Sequence, residues 1–185
     1  MPAPRSSQLL TFQSFGDISR FLREGVADED SRQLRDSLGA LAQQIDEAVR
    51  TRRTSTDTAL ITQRVAALGR IAREQQLLLT GLGSAWHALF EFAAYQRALR
   101  DLRHAIRDWR KALDERSARE GACFEQFELL AWRTLGEALL LIDLYEHQSE
   151  LPDDTVEVPQ PQPQPQPHSM PALQRVRTWL GSWKR

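Results

Sequence analysis

The sequence predicts an all-α fold: an elongated bundle of four or five helices with a coiled-coil-like hairpin, then a proline–glutamine linker and a short amphipathic helix. Three observations carry this expectation. After Pro2 and Pro4 no proline occurs until Pro152, so the strongest helix breaker is missing from the whole body. Within that span apolar residues recur at intervals of three and four, with none of the sustained alternation that strands need. Beyond it the composition changes abruptly to acids and then to strict Pro-Gln alternation. Three regions follow: a helical body over 1–149, an acidic then Pro/Gln-rich linker over 150–170, and a basic amphipathic tail over 171–185.

The first element places Phe12, Phe15, Ile18, Phe21 and Leu22 on one face and stops near Gly25, the pattern of a short amphipathic helix. Asp28, Glu29, Asp30 and Ser31 supply an N-cap and first-turn acids for a second helix, whose stripe is Leu34, Leu38, Leu41, Ile45 and Val49. It closes on Arg50, Arg52 and Arg53, cations suited to the negative pole of the helix dipole. Thr54 to Asp57 make a turn and a cap. A third helix follows, carrying Leu60, Ile61, Val65, Leu68, Ile71, Ala72, Leu78 and Leu79 and ended by Gly81 and Gly83.

Ser84 caps a long fourth helix in this reading. Phe92, Tyr95, Leu99, Leu102, Ile106, Trp109 and Leu113 form its heptad seam, with Ala98, Ala105 and Ala112 alongside to admit a close neighbour. The pattern breaks near Gly121, and a fifth helix carries Phe124, Phe127, Leu130, Ala131, Leu135, Ala138, Leu139, Ile142 and Tyr145. Residues 97–111 are rich in arginine, whereas 120–146 are rich in glutamate and aspartate. The two helices are therefore expected to pack as an antiparallel hairpin, turning near Gly121, with opposite charges facing across the seam. The seam of helix 85–116 is also the place where a homodimer would form.

Pro159 to Pro167 alternate strictly with glutamine, which favours polyproline II and spans about 28 Å. Wound as a helix, the tail separates cleanly. Leu173, Val176, Trp179, Leu180 and Trp183 share one face, and Arg175, Arg177, Lys184 and Arg185 supply the charge. So short a helix orders only when its apolar face meets a surface. That surface is an apolar groove on a partner protein, an anionic membrane, or the chain's own body.

No motif for catalysis, cofactor or metal emerges. Gly81 and Gly83 lack the Gly-Lys-Ser/Thr signature of a phosphate loop. His87, His104, His147 and His168 have no metal-ligand spacing, and His104 is expected to pair with Asp108 on a solvated helix face. The single Cys123 fits a reducing compartment and reads as a small apolar residue. A formal net charge of −1 removes any whole-molecule argument for nucleic acid. The stripe Arg100, Arg103, Arg107 and Arg110 could track phosphates, but the acidic fifth helix offers it partners inside the fold.

The chain therefore reads as a non-enzymatic adaptor, scaffold or secretion-type chaperone of the bacterial cytoplasm. Its tail would dock on a partner protein or assembly near the inner membrane. A protein coating a membrane or storage granule is one alternative, and a nucleic-acid binder using residues 97–111 is another.

Overall fold

The computed structural model describes residues 12–25 and 29–150, which form six helices and no strand. Helix α1 (Phe15–Glu24) begins at Ser14, whose side chain accepts the Asp17 amide while Asp17 accepts the Ser14 amide, a reciprocal capping box. Helix α2 (Glu29–Thr54) buries Leu34, Leu38, Leu41, Ile45 and Val49. Asp57 caps α3 (Thr58–Gly81) by accepting the amides of Ala59 and Leu60. The one-turn α4 (Ser84–His87) precedes α5 (Phe90–Asp114), and α6 (Glu120–Glu150) completes the described body.

The fourth helix is thus not continuous from Ser84. Leu89 adopts an extended backbone and restarts the chain as the N-cap of α5. The interruption lets two large side chains reach the interior at once: Trp86 stacks on Tyr145 of α6 with ring centroids 3.6 Å apart, and Leu89 is buried beside it in sequence. Nor does the next turn lie at Gly121, which is inside α6. The reversal occupies residues 115–119, where the Ser117 amide donates to Ala112 and the Arg116 amide to Leu113. This is a Schellman closure with Arg116 at φ 48°, the left-handed position usually given to glycine.

Four helices close a ring: α2 packs on α3, α3 on α5, α5 on α6, and α6 back on α2. Neighbours run antiparallel, because Ala98 meets Thr134 and Trp109 meets Phe124 between α5 and α6, while Arg35 meets Glu146 and Arg52 meets Glu120 between α2 and α6. The heptad seam of α5 lies inside this ring, with Phe92, Tyr95, Leu99, Leu102, Ile106, Trp109 and Leu113 all buried. Full burial of so many large side chains, each contributing roughly 1.5–3 kcal/mol, is the main stabilising term.

Helix α1 lies outside the ring, against α2 and reaching α6. Phe15 stacks on Trp132 of α6 at 4.2 Å, and the Ser19 hydroxyl donates to the Gly39 carbonyl of α2 at 2.8 Å. Gly39 makes room for this approach, since a Cβ there would stand 3.1 Å from Arg23 Cγ. A helix packed on the outside of the ring is therefore an arrangement this chain already uses.

Candidate functional site

Among the described residues no acid of α6 pairs with an arginine of α5, contrary to the charge pattern expected of the hairpin, and three of them, Glu120, Glu128 and Glu146, are taken by α2. Arg35 grips Glu146 with two bonds of 2.7 Å, Arg52 grips Glu120 with bonds of 2.7 and 2.6 Å, and Arg53 reaches Glu128. Among the described residues the one ion pair between α5 and α6 runs the other way, from Arg133 of α6 to Asp101 at 3.9 Å. Glu120 also accepts the Trp109 indole N–H at 2.8 Å. Arg52 first, and Trp109 after it, hold the Glu120 carboxyl below its usual range, and Glu120 in turn raises Arg52.

With α6 so committed, the arginine stripe is left without the internal partners expected for it. Arg100, Arg103 and Arg107 have no ion-pair partner among the described residues, and Arg110 has only a long, exposed contact of 3.8 Å to Asp114 within its own helix. His104 is exposed and does not pair with Asp108.

These side chains share a groove with α3. Its lining on α5 is Arg100, Arg103, His104, Ile106, Arg107 and Arg110, and on α3 it is Val65, Ala66, Gly69, Arg70 and Arg73. Arg70 and Arg73 likewise have no ion-pair partner among the described residues. The groove has a volume of about 610 Å³ and holds six arginines and no acid. Every acid of the two helices, Glu74 on α3 and Glu91, Asp101, Asp108 and Asp114 on α5, lies outside the lining. From Arg100 to Arg110 the stripe extends about 15 Å along α5 at 1.5 Å per residue.

The geometry gives the groove two kinds of surface. Val65, Ala66, Gly69 and Ile106 form an aliphatic floor of mostly small groups, and guanidinium groups rise on both sides. Arginine keeps its charge at any physiological pH and offers paired donors to carboxylate or phosphate. The like charges also repel one another, so the arrangement costs stability.

Of the site residues expected from sequence, Arg100, Arg103, Arg107 and Arg110 are brought together here, joined by Arg70 and Arg73, which the sequence reading passed over. Their three-residue spacing on α3 was visible, but nothing local says that α3 lies beside α5. Cys123 is half-buried, not enclosed, in a shallow depression with Lys111 and Arg119. The tail residues Leu173, Arg175, Val176, Arg177, Trp179, Leu180, Trp183, Lys184 and Arg185, and the linker before them, lie outside the described residues. Among those described, no helix is long and apolar enough to cross a membrane. Compared with known proteins, the chain matches no family model, no curated protein and no solved structure.

Proposed function

We propose that this chain is a non-catalytic adaptor with two attachment points: an arginine groove on the body that receives an anionic partner, and the amphipathic tail of 171–185, which docks on a second protein or an anionic membrane surface. The observation that carries the reading is the groove itself, six arginines around an aliphatic floor, five of them with no ion-pair partner among the described residues and Arg110 with only a long contact to Asp114. A protein of net charge −1 that concentrates unpaired guanidinium groups in one place has segregated its charge, and the cost of doing so is offset by binding. In this reading the coiled-coil-like pair of α5 and α6 serves as the rigid frame of an elongated bundle, and the Pro-Gln linker spaces the tail from it. Any homodimer along residues 85–116 uses the outer side of α5, because the seam is filled by the chain itself. The cytoplasmic face of the inner membrane is the place where such an adaptor would work.

A nucleic-acid-binding role is the second reading, favoured by the same absence of acid partners around the stripe. The adaptor reading is tested by comparing partners retained by the intact chain, by a chain ending at Glu150, and by one with Arg100, Arg103, Arg107 and Arg110 changed to glutamine. The account expects one set of partners lost with the tail and another lost with the arginines. Identical partners for all three would sink it. Flotation of the intact chain with vesicles rich in anionic lipid separates the two tail partners: co-flotation lost with Trp179→Ala plus Trp183→Ala identifies the membrane.

A further inference from the structure

We infer that the α3–α5 groove takes an acidic amphipathic helix of a partner protein, packed on the outside of the ring as α1 is packed on α2. This deepens the adaptor reading and rests on it. The ring has an internal precedent. On one side α1 already lies outside α2, with Phe15 reaching Trp132 of α6, and the α3–α5 edge is the opposite side of the same ring. On the occupied edge α1 buries Phe15, Ile18, Ser19 and Leu22, spaced by three and four, and closes on Gly39.

The α3–α5 edge, which no described helix covers, has the matching device. Gly69 sits mid-helix in α3, where glycine costs about 1 kcal/mol relative to alanine. Nothing among the described residues asks for it. A Cβ at Gly69 would meet only Ile106 Cγ2, at an ordinary 3.7 Å, and the backbone there is not left-handed. A glycine that the fold does not need, placed on the floor of an open groove, is what the close approach of another helix does need. A helix with side chains is about 10–12 Å across and suits a furrow between two neighbours.

Charge and chemistry select what kind of helix. Arg100, Arg103, Arg107 and Arg110 advance by three, four and three along α5, with Arg70 and Arg73 on the facing wall. Glutamate or aspartate on both flanks of an apolar stripe, repeating at three and four, would meet these rows, each pair a charge-assisted bond. Single-stranded nucleic acid fits less well, because its bases stack on large aromatic platforms and no Phe, Tyr or Trp lines the groove.

Three fluorescent probes test this by anisotropy on the intact chain at physiological salt. The first is a peptide of about five helical turns with small apolar residues on one stripe and glutamate on both flanks. The second has the same composition in scrambled order. The third is an oligothymidylate of about twenty nucleotides. Binding of the patterned peptide, weakened at least about tenfold by scrambling, by Arg103→Glu with Arg107→Glu, and by Gly69→Leu, is the expected result. Gly69→Ala serves as the folding control and should raise thermal stability. Tighter binding by the oligonucleotide, lost with the same arginines, overturns the helix inference yet leaves the anionic groove standing. Equal binding of patterned and scrambled peptides also overturns it, reducing the groove to bulk charge. If neither peptide nor oligonucleotide depends on Arg103 and Arg107, both the inference and the adaptor reading of the groove fall.

Discussion

Glu146→Leu should be among the most damaging single substitutions in the body, although it adds an apolar side chain to an apolar neighbourhood. Its partner explains why. The Arg35 guanidinium has a side-chain exposure of 7%, against 14% for Glu146, and donates to both carboxylate oxygens at 2.7 Å. Gly25, where a Cβ would come within 2.7 Å of Nη1, and the Phe21 ring lie close against it. Removing the carboxylate also strips the Ser31 hydroxyl of its acceptor at 2.9 Å. Leaving a buried cation unpaired costs about 3–5 kcal/mol. At roughly 2–4 °C per kcal/mol for a domain of this size, that is a fall in Tm of about 6–20 °C. Arg35→Met together with Glu146→Leu removes both charges and should recover to within about 1.5 kcal/mol of the parent, because apolar replacement of a buried pair is close to neutral. Urea unfolding followed by circular dichroism, run as a double-mutant cycle, gives the coupling directly. A cost below about 1 kcal/mol for Glu146→Leu, or no recovery in the double variant, would refute the assignment of α6's acids to α2.

Three further outcomes follow from the same structure. Glu120, bonded by Arg52 and Trp109, titrates below its ordinary value of 4.5 in the folded chain. Its contribution is therefore complete above that value and disappears as pH falls through the lowered one, so Glu120→Gln should flatten the acid limb of a stability–pH curve and cost about 1–2 kcal/mol at pH 7, discounted for the one-third exposure of Arg52. Arg116→Gly should raise stability by about 1 kcal/mol in chemical unfolding, since the left-handed position at φ 48° strains any residue with a Cβ. Changing Arg103 and Arg107 to glutamine should leave Tm unchanged or slightly raised, and should reduce the gain in Tm that the parent shows on adding salt, because these cations are repelled and not paired; a marked loss of Tm would mean that they serve the fold.

The sequence resolves the periodic features well and their mutual arrangement poorly. Leu34 to Val49, Leu60 to Leu79 and the seam from Phe92 to Leu113 announce their helices because burial of one face imposes a period of 3.6, and that period is local. Asp57 announces a helix start for an equally local reason, the bonding of free amides. The break at Leu89 was hidden because it serves Trp86 and Tyr145, residues far apart in the chain. Gly121 misled as a turn, while Arg116 took the left-handed position without advertising it. The charge map failed for a more general reason. A stripe of like residues fixes an arc on one helix but not the helix that faces it, so Glu120, Glu128 and Glu146 could be matched to α5 or to α2 with equal ease. Once α2 is seen to hold them, the arginines of α5 change from a structural feature to an unsatisfied one, and Arg70 and Arg73 join them from a helix that sequence spacing could not place alongside.

The claim on which the account turns is that the α3–α5 groove is the body's binding surface, and amide hydrogen exchange on the intact chain, with and without the patterned acidic peptide, tests it most directly. The account predicts slowed exchange confined to residues 65–73 of α3 and 100–110 of α5, absent in the Arg103→Glu, Arg107→Glu variant. Slowing along α2 or α6 instead, or the same slowing in that variant, would contradict it.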